Sequence, residues 1–151
     1  MNKNSALIDL SESERTKFGK EDFSAQSFPQ KVFSAIWAAE SEINNGGFAQ
    51  YFQNTSCETA PFVFEAFEAI DAPRTADICR RAVAGAFPGG LPSTPEAISS
   101  AAADFTDDIT EQLEALDSEF FQYPHNLTDL LFIFVSKHPE EFGPLPEVDD
   151  A

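Results

Sequence analysis

Carboxylates are the side chains with the greatest chemical potential in this sequence: 26 Asp and Glu stand against 9 Lys and Arg, a formal net charge of -17. Their densest run is residues 104–119, which holds Asp104, Asp107, Asp108, Glu111, Glu114, Asp117 and Glu119 and no cation. Carboxylates perform acid–base catalysis or hold a metal only beside partners of defined role, such as a nucleophile or histidines at ligand spacing. The two histidines, His125 and His138, form no His-Glu-x-x-His motif, and neither follows a Glu by three positions, as a di-iron bundle requires. His125, between Pro124 and Asn126, reads as part of a helix start, and His138, before Pro139, as a helix-end residue. Cys79, among Ile78 and Ala82, reads as a core side chain, and Cys57 as a loop residue without an activating base. No Walker loop and no Gly-x-Ser-x-Gly elbow is present, and Gly89-Gly90 lacks the Lys-Ser/Thr of a phosphate loop. The expectation is a non-enzymatic protein with no metal and no cofactor, acting through charge.

That charge is unevenly spread. Residues 1–20 carry four basic and three acidic side chains, residues 21–81 four and nine, and residues 82–151 only Lys137 against fourteen acids. Such a chain repels nucleic acid and anionic membranes and attracts basic partners over about 8 Å at physiological salt. Direct nucleic-acid binding and membrane association are therefore not expected. The first thirty residues hold acids and no apolar run of signal-peptide type, the Leu130–Val135 run is far too short for a membrane helix, and two cysteines make no disulfide framework. A cytoplasmic location is the expectation.

Helical periodicity runs through the elements that must position these acids, and no alternating strand pattern survives beside it. From Phe28 to Ile43 apolar residues recur on one face, with Ser27 and Pro29 as start signals. Asn44-Asn45-Gly46-Gly47 then breaks the helix for a tight reversal, before a short helix with Phe48 and Phe52 on one face. Thr59-Ala60-Pro61 opens a helix to about Ile70, and Pro73 one to about Phe87. Pro88–Ser93 is a loop. Thr94-Pro95 starts a long helical pattern to about Phe121, with an interruption near Ser99-Ser100, and a last helix spans about Asn126 to Lys137 before Pro139 ends regular structure. The prediction is all-α: a single compact domain of six to seven helices over residues 1–151, with residues 1–25 unassigned and residues 143–151 a frayed tail.

On a helical wheel, Phe105, Ile109, Leu113, Leu116 and Phe120 share a narrow arc that must be buried. Asp104, Asp107, Asp108, Glu111 and Glu114 lie opposite, with Glu119 at the margin and Asp117 on a flank. Like charges three or four apart cost a helix about 0.2–0.5 kcal/mol per pair, which an ordinary solvated face relieves by interleaving Lys. At 1.5 Å of rise per residue these carboxylates recur roughly every 4–6 Å, against about 3.4 Å per phosphate along one DNA strand. The predicted partner-binding face is Asp104, Asp107, Asp108, Glu111, Glu114 and Glu119.

Residues 45–54 read Asn-Gly-Gly-Phe-Ala-Gln-Tyr-Phe-Gln-Asn. This string, preceded by Glu40 and Glu42, resembles the hallmark Asn-Gly-Gly-Phe-x-Gln-Tyr-Phe-x-Asn motif of a bacterial family of helical domains that includes an acidic DNA mimic. The resemblance extends loosely over about residues 28–120. It implies an all-α fold and a homodimer, and a role in binding a basic DNA-binding protein of helix-turn-helix type and keeping it from its operator. The alternative is a helical binding module of immunity or adaptor type with a basic partner unrelated to DNA. Within the motif, Gly46 and Gly47 are expected to turn the chain, Phe48 and Phe52 to plug the core, and Gln50, Tyr51 and Asn54, with Asn45, to brace the turn.

Overall fold

The computed structural model describes residues 2–12 and 22–143. These residues form eight α-helices and two short 3-10 helices, with no strand among them. The protein is all-α. The helices are α1 (Lys3–Ser11), α2 (Phe28–Gln53), α3 (Val63–Ala69), α4 (Pro73–Ala86), α5 (Pro95–Ala103), α6 (Asp107–Phe120), α7 (Leu127–Ser136) and α8 (Pro139–Phe142). The 3-10 helices, Phe23–Ala25 and Thr55–Thr59, lead into α2 and follow it.

The chain is organised around α2. Ser27 and Gln30 cap it reciprocally: each side chain bonds the other's backbone amide, which satisfies two donors that a helix start leaves open. Val32, Phe33, Ala35, Ile36, Ala39 and Ile43 are buried along its first part. α3, α5, α6, α7, α8 and the second 3-10 helix all pack on α2, while α4 bridges α3 and α6, and α1 rests on α7. Phenylalanine rings run through an otherwise aliphatic core. Phe48 stands edge-on to Phe120 at 5.9 Å between centroids, Phe52 edge-on to Phe87 at 5.1 Å, and Phe67 edge-on to Phe120 at 6.4 Å. Each buried Phe contributes about 1.5–3 kcal/mol with no polar atom to satisfy.

Several boundaries differ from the sequence reading. The Asn44–Gly47 break is present but confined to Gly47 (φ 81°, ψ -179°), a kink between two helical segments after which helix resumes at once. Pro61 lies in a turn ahead of α3, and Thr59 closes a 3-10 helix. The long pattern from Thr94 to Phe121 is two helices, broken at Asp104–Thr106 and not at Ser99-Ser100. The Ser99 hydroxyl donates to the Gln53 carbonyl of α2 at 2.6 Å, so it does not compete for its own helix. Thr106 does compete: its Oγ1 accepts from the Ile109 amide at 3.3 Å and caps α6. Pro139 starts a further turn of helix, α8, where regular structure was expected to end. α1, within the unassigned N-terminal segment, buries Ala6, Leu7 and Leu10. The tail from 144 onward lies outside the described residues.

Candidate functional site

The acidic run divides between two helices and two environments. Asp104 is exposed, but it is the C-terminal cap of α5 and stands off the α6 wheel. Within α6, Leu113, Leu116 and Phe120 are buried and Ile109 is half-buried, so the apolar arc faces inward as its periodicity requires. Asp107, Asp108, Glu111 and Glu114 are exposed, and none is paired with a cation among the described residues. The row they form spans about 10 Å of helix axis. Asp107 and Asp108 occupy the first turn, where the helix dipole favours a negative charge by about 0.3–1 kcal/mol. Glu111 and Glu114 have no such compensation.

The last turns of α6 present carboxylates to the unfavourable end of that dipole, and there each is bonded. Glu119 accepts from both terminal guanidinium nitrogens of Arg81 on α4, at 2.7 and 2.9 Å. Arg81 also reaches Asp77, at 2.9 Å. The Arg81 hydrogen bonds hold the Glu119 carboxyl below its usual range. Glu119 therefore does not stand in the free row where the wheel put it. Asp117, half-buried, accepts from the Phe48 amide of α2 at 2.8 Å. Burial pushes its pKa up, the Phe48 bond opposes that, and Glu114 adds to it.

The Asn-Gly-Gly-Phe string lies where these contacts form. Gly47 adopts a backbone conformation open almost only to glycine, and a Cβ there would overlap the Asp117 carboxylate. The kink leaves the Phe48 amide without a helical partner, and Asp117 supplies one. Gln50 and Asn54 both donate to Glu42 Oε2, at 2.7 and 2.9 Å, bracing the helix across its kink. The Tyr51 hydroxyl pairs with Thr59 at 2.6 Å, inside the core, and burial holds its pKa far above the ordinary phenol. Phe48 and Phe52 are fully buried, and Asn45 is exposed.

A family model described as DMP19-like protein matches residues 24–138. The chain belongs to the DMP19-like family. The DMP19-like region takes in α2 through α7, and so contains the kinked motif and the acidic helix together. No curated protein and no solved structure matches the chain.

Other chemistry in the DMP19-like region is structural in placement. His125 stands just before Asn126, the N-cap of α7, and its Nε2 accepts from the Arg74 amide at 3.1 Å, so its ring also covers the start of α4. His138 caps α8. Cys79 is fully buried, and Cys57, also buried, donates to the Pro95 carbonyl at 3.4 Å. Burial raises both thiols, the opposite of what a nucleophile needs. Among the described residues no group of three or more His, Cys, Asp and Glu is arranged to hold a metal ion, and no helix is long and apolar enough to cross a membrane. Sequence reasoning missed Asp117, Arg81 and Glu42. Their partners lie 69, 38 and 8 to 12 positions away, and only the Glu42 spacing is short enough to leave a local signal.

Proposed function

We propose that this protein is an acidic decoy for DNA: it occupies the DNA-binding surface of a basic regulator of helix-turn-helix type and blocks its access to the operator. The observation that carries this reading is the exposed row Asp107, Asp108, Glu111 and Glu114, unpaired with any described cation, on a helix whose other carboxylates are all bonded. Membership of the DMP19-like family and the resemblance of its motif to that of an acidic DNA mimic support the same reading. Asp104, exposed just ahead of α6, extends the charge beyond the helix. The role requires no catalysis or cofactor. A homodimer, as the resemblance implies, would present the row twice about a two-fold axis, matching the symmetry of a dimeric regulator.

The test is competition. The basic regulator recovered from the native host is bound to its operator DNA and titrated with the protein; release of the DNA is expected, weakening as salt rises. Changing Asp107, Asp108, Glu111 and Glu114 together to Asn and Gln should cost about 2 kcal/mol, roughly thirtyfold in affinity, at moderate salt. Unchanged competition by that variant rules out this face. Recovery of a basic partner that binds no DNA favours an adaptor or immunity-type module instead.

A further inference from the structure

We propose that Asp117 is the positioning residue of the acidic face: seated in the notch that Gly47 leaves on α2 and bonded to the Phe48 amide, it sets the rotation and height of α6 and so decides where Asp107, Asp108, Glu111 and Glu114 stand. The inference rests on the reading above for what the face is used for, not for how it is placed.

Apolar packing leaves the placement of α6 incompletely determined. Leu113, Leu116 and Phe120 hold α6 to the core, but burial of apolar area is non-directional and admits small slides and rotations of a helix. A hydrogen bond at 2.8 Å is directional and singles out one arrangement. The Asp117 bond joins α6 to α2, and the Glu119–Arg81 pair joins it to α4, so the helix is pinned to two neighbours. The pins are unequal. Arg81 and Glu119 are 40% and 43% exposed, and an exposed pair of that kind is weak and screened by salt. Asp117 is more enclosed, and its site is shaped for it on both sides. Only a glycine at 47 leaves room for the carboxylate, and the kink at that same glycine frees the amide that the carboxylate takes.

Two features of the sequence that looked separate are then one device: the Gly-Gly of the motif makes the seat, and the acidic helix carries the residue that sits in it. Asp117 is not itself part of the displayed row. Three residues after Glu114, it turns toward α2 while Glu114 faces solvent. An uncharged acceptor of the same shape should do its work equally well.

The experiment measures position directly and uses no partner. Cysteines introduced at exposed Ser41 of α2 and exposed Ala115 of α6 carry nitroxide labels, while Cys57 and Cys79 are buried. Pulsed electron–electron spectroscopy then gives the distance between α2 and α6. Asp117→Asn should reproduce the parent's narrow distribution and keep the Phe48 amide protected from hydrogen exchange. Asp117→Ala, shown to be helical by circular dichroism, should broaden and shift the distribution, as helix displacements of about 1–2 Å do, and expose that amide. If Asp117→Ala does not fold, the same comparison is made with Asp117→Ser. A parental distance in the folded Ala or Ser variant overturns the proposal, and so does an altered distance in Asp117→Asn. Because this measurement involves no binding, it stands or falls separately from the operator competition.

Discussion

Over the first eight residues of α6, Asp107, Asp108, Glu111 and Glu114 stand in water without a described cation; over its last four, Asp117 and Glu119 are bonded to Phe48 and Arg81. The residue types are the same, and fourteen consecutive residues carry both sets. What differs is which end of the helix dipole is near and what lies opposite. At the N-terminal end the dipole stabilises Asp107 and Asp108, so their display costs little. At the C-terminal end a bare carboxylate is disfavoured, and both are found where a donor compensates. A helix can thus be docked by acids at one end and offer acids at the other.

The contrast can be broken or sharpened in order of effect. Gly47→Ala attacks the docked half hardest, since it forces a side chain into a glycine-only conformation and onto Asp117; a loss of about 3 kcal/mol in urea denaturation followed by circular dichroism is expected. Asp117→Ala removes the acceptor and leaves the Phe48 amide unpaired, for a loss of about 1–2 kcal/mol in the same assay, while Asp117→Asn stays within about 0.5 kcal/mol of the parent. Arg81→Ala should cost about 0.5–1 kcal/mol at low salt and less in molar salt, because the pair it breaks is two-fifths exposed. Glu111→Gln, in the displayed half, should leave stability unchanged or raise it by about 0.2–0.5 kcal/mol, since it removes like-charge repulsion and breaks no bond.

The two docked acids also differ from each other in sign. Burial raises Asp117, so ionising it works against the fold: its contribution is fully present at acid pH and declines as pH climbs through the raised value. Arg81 lowers Glu119, so its contribution is present above the ordinary glutamate range and is lost as pH falls through the lowered value. Relative to the parent, Asp117→Asn should therefore gain stability as pH rises from the acid side. Glu119→Gln should lose it over the same rise. Urea midpoints measured between acid and neutral pH decide the matter; parallel profiles for the two variants would contradict the assignment.

How much was legible in the sequence follows the range of the forces involved. α4, α5 and α7 were readable at their starts because Pro73, Thr94-Pro95 and Asn126 act within one turn of where they stand. The inward arc of α6 was readable because period 3.6 is local. The true break before α6 is also written locally, as Thr106 followed by Asp107 and Asp108, but the serine pair at 99–100 carries a competing break signal. Ser99 was harmless because its hydroxyl bonds α2, 46 residues earlier, which no local pattern reports. α1 carries too short an apolar pattern to announce itself and is held by docking on α7. The fate of Asp117 and Glu119 was illegible for the same reason: a wheel gives an angle, and only the fold says what stands at that angle.

Trp37 is a built-in fluorophore. It is the sole tryptophan, stacks on Phe33 at 5.3 Å, and lines a small cavity with Leu7 of α1, Glu40 of α2 and Leu131 of α7. Its emission is therefore an optical reporter of the α1–α2–α7 end. Circular dichroism registers every helix. If the fluorescence and dichroism melts coincide, the acidic helix comes apart in the same cooperative step as the rest; if they separate, the protein carries its charged helix on a unit that melts on its own.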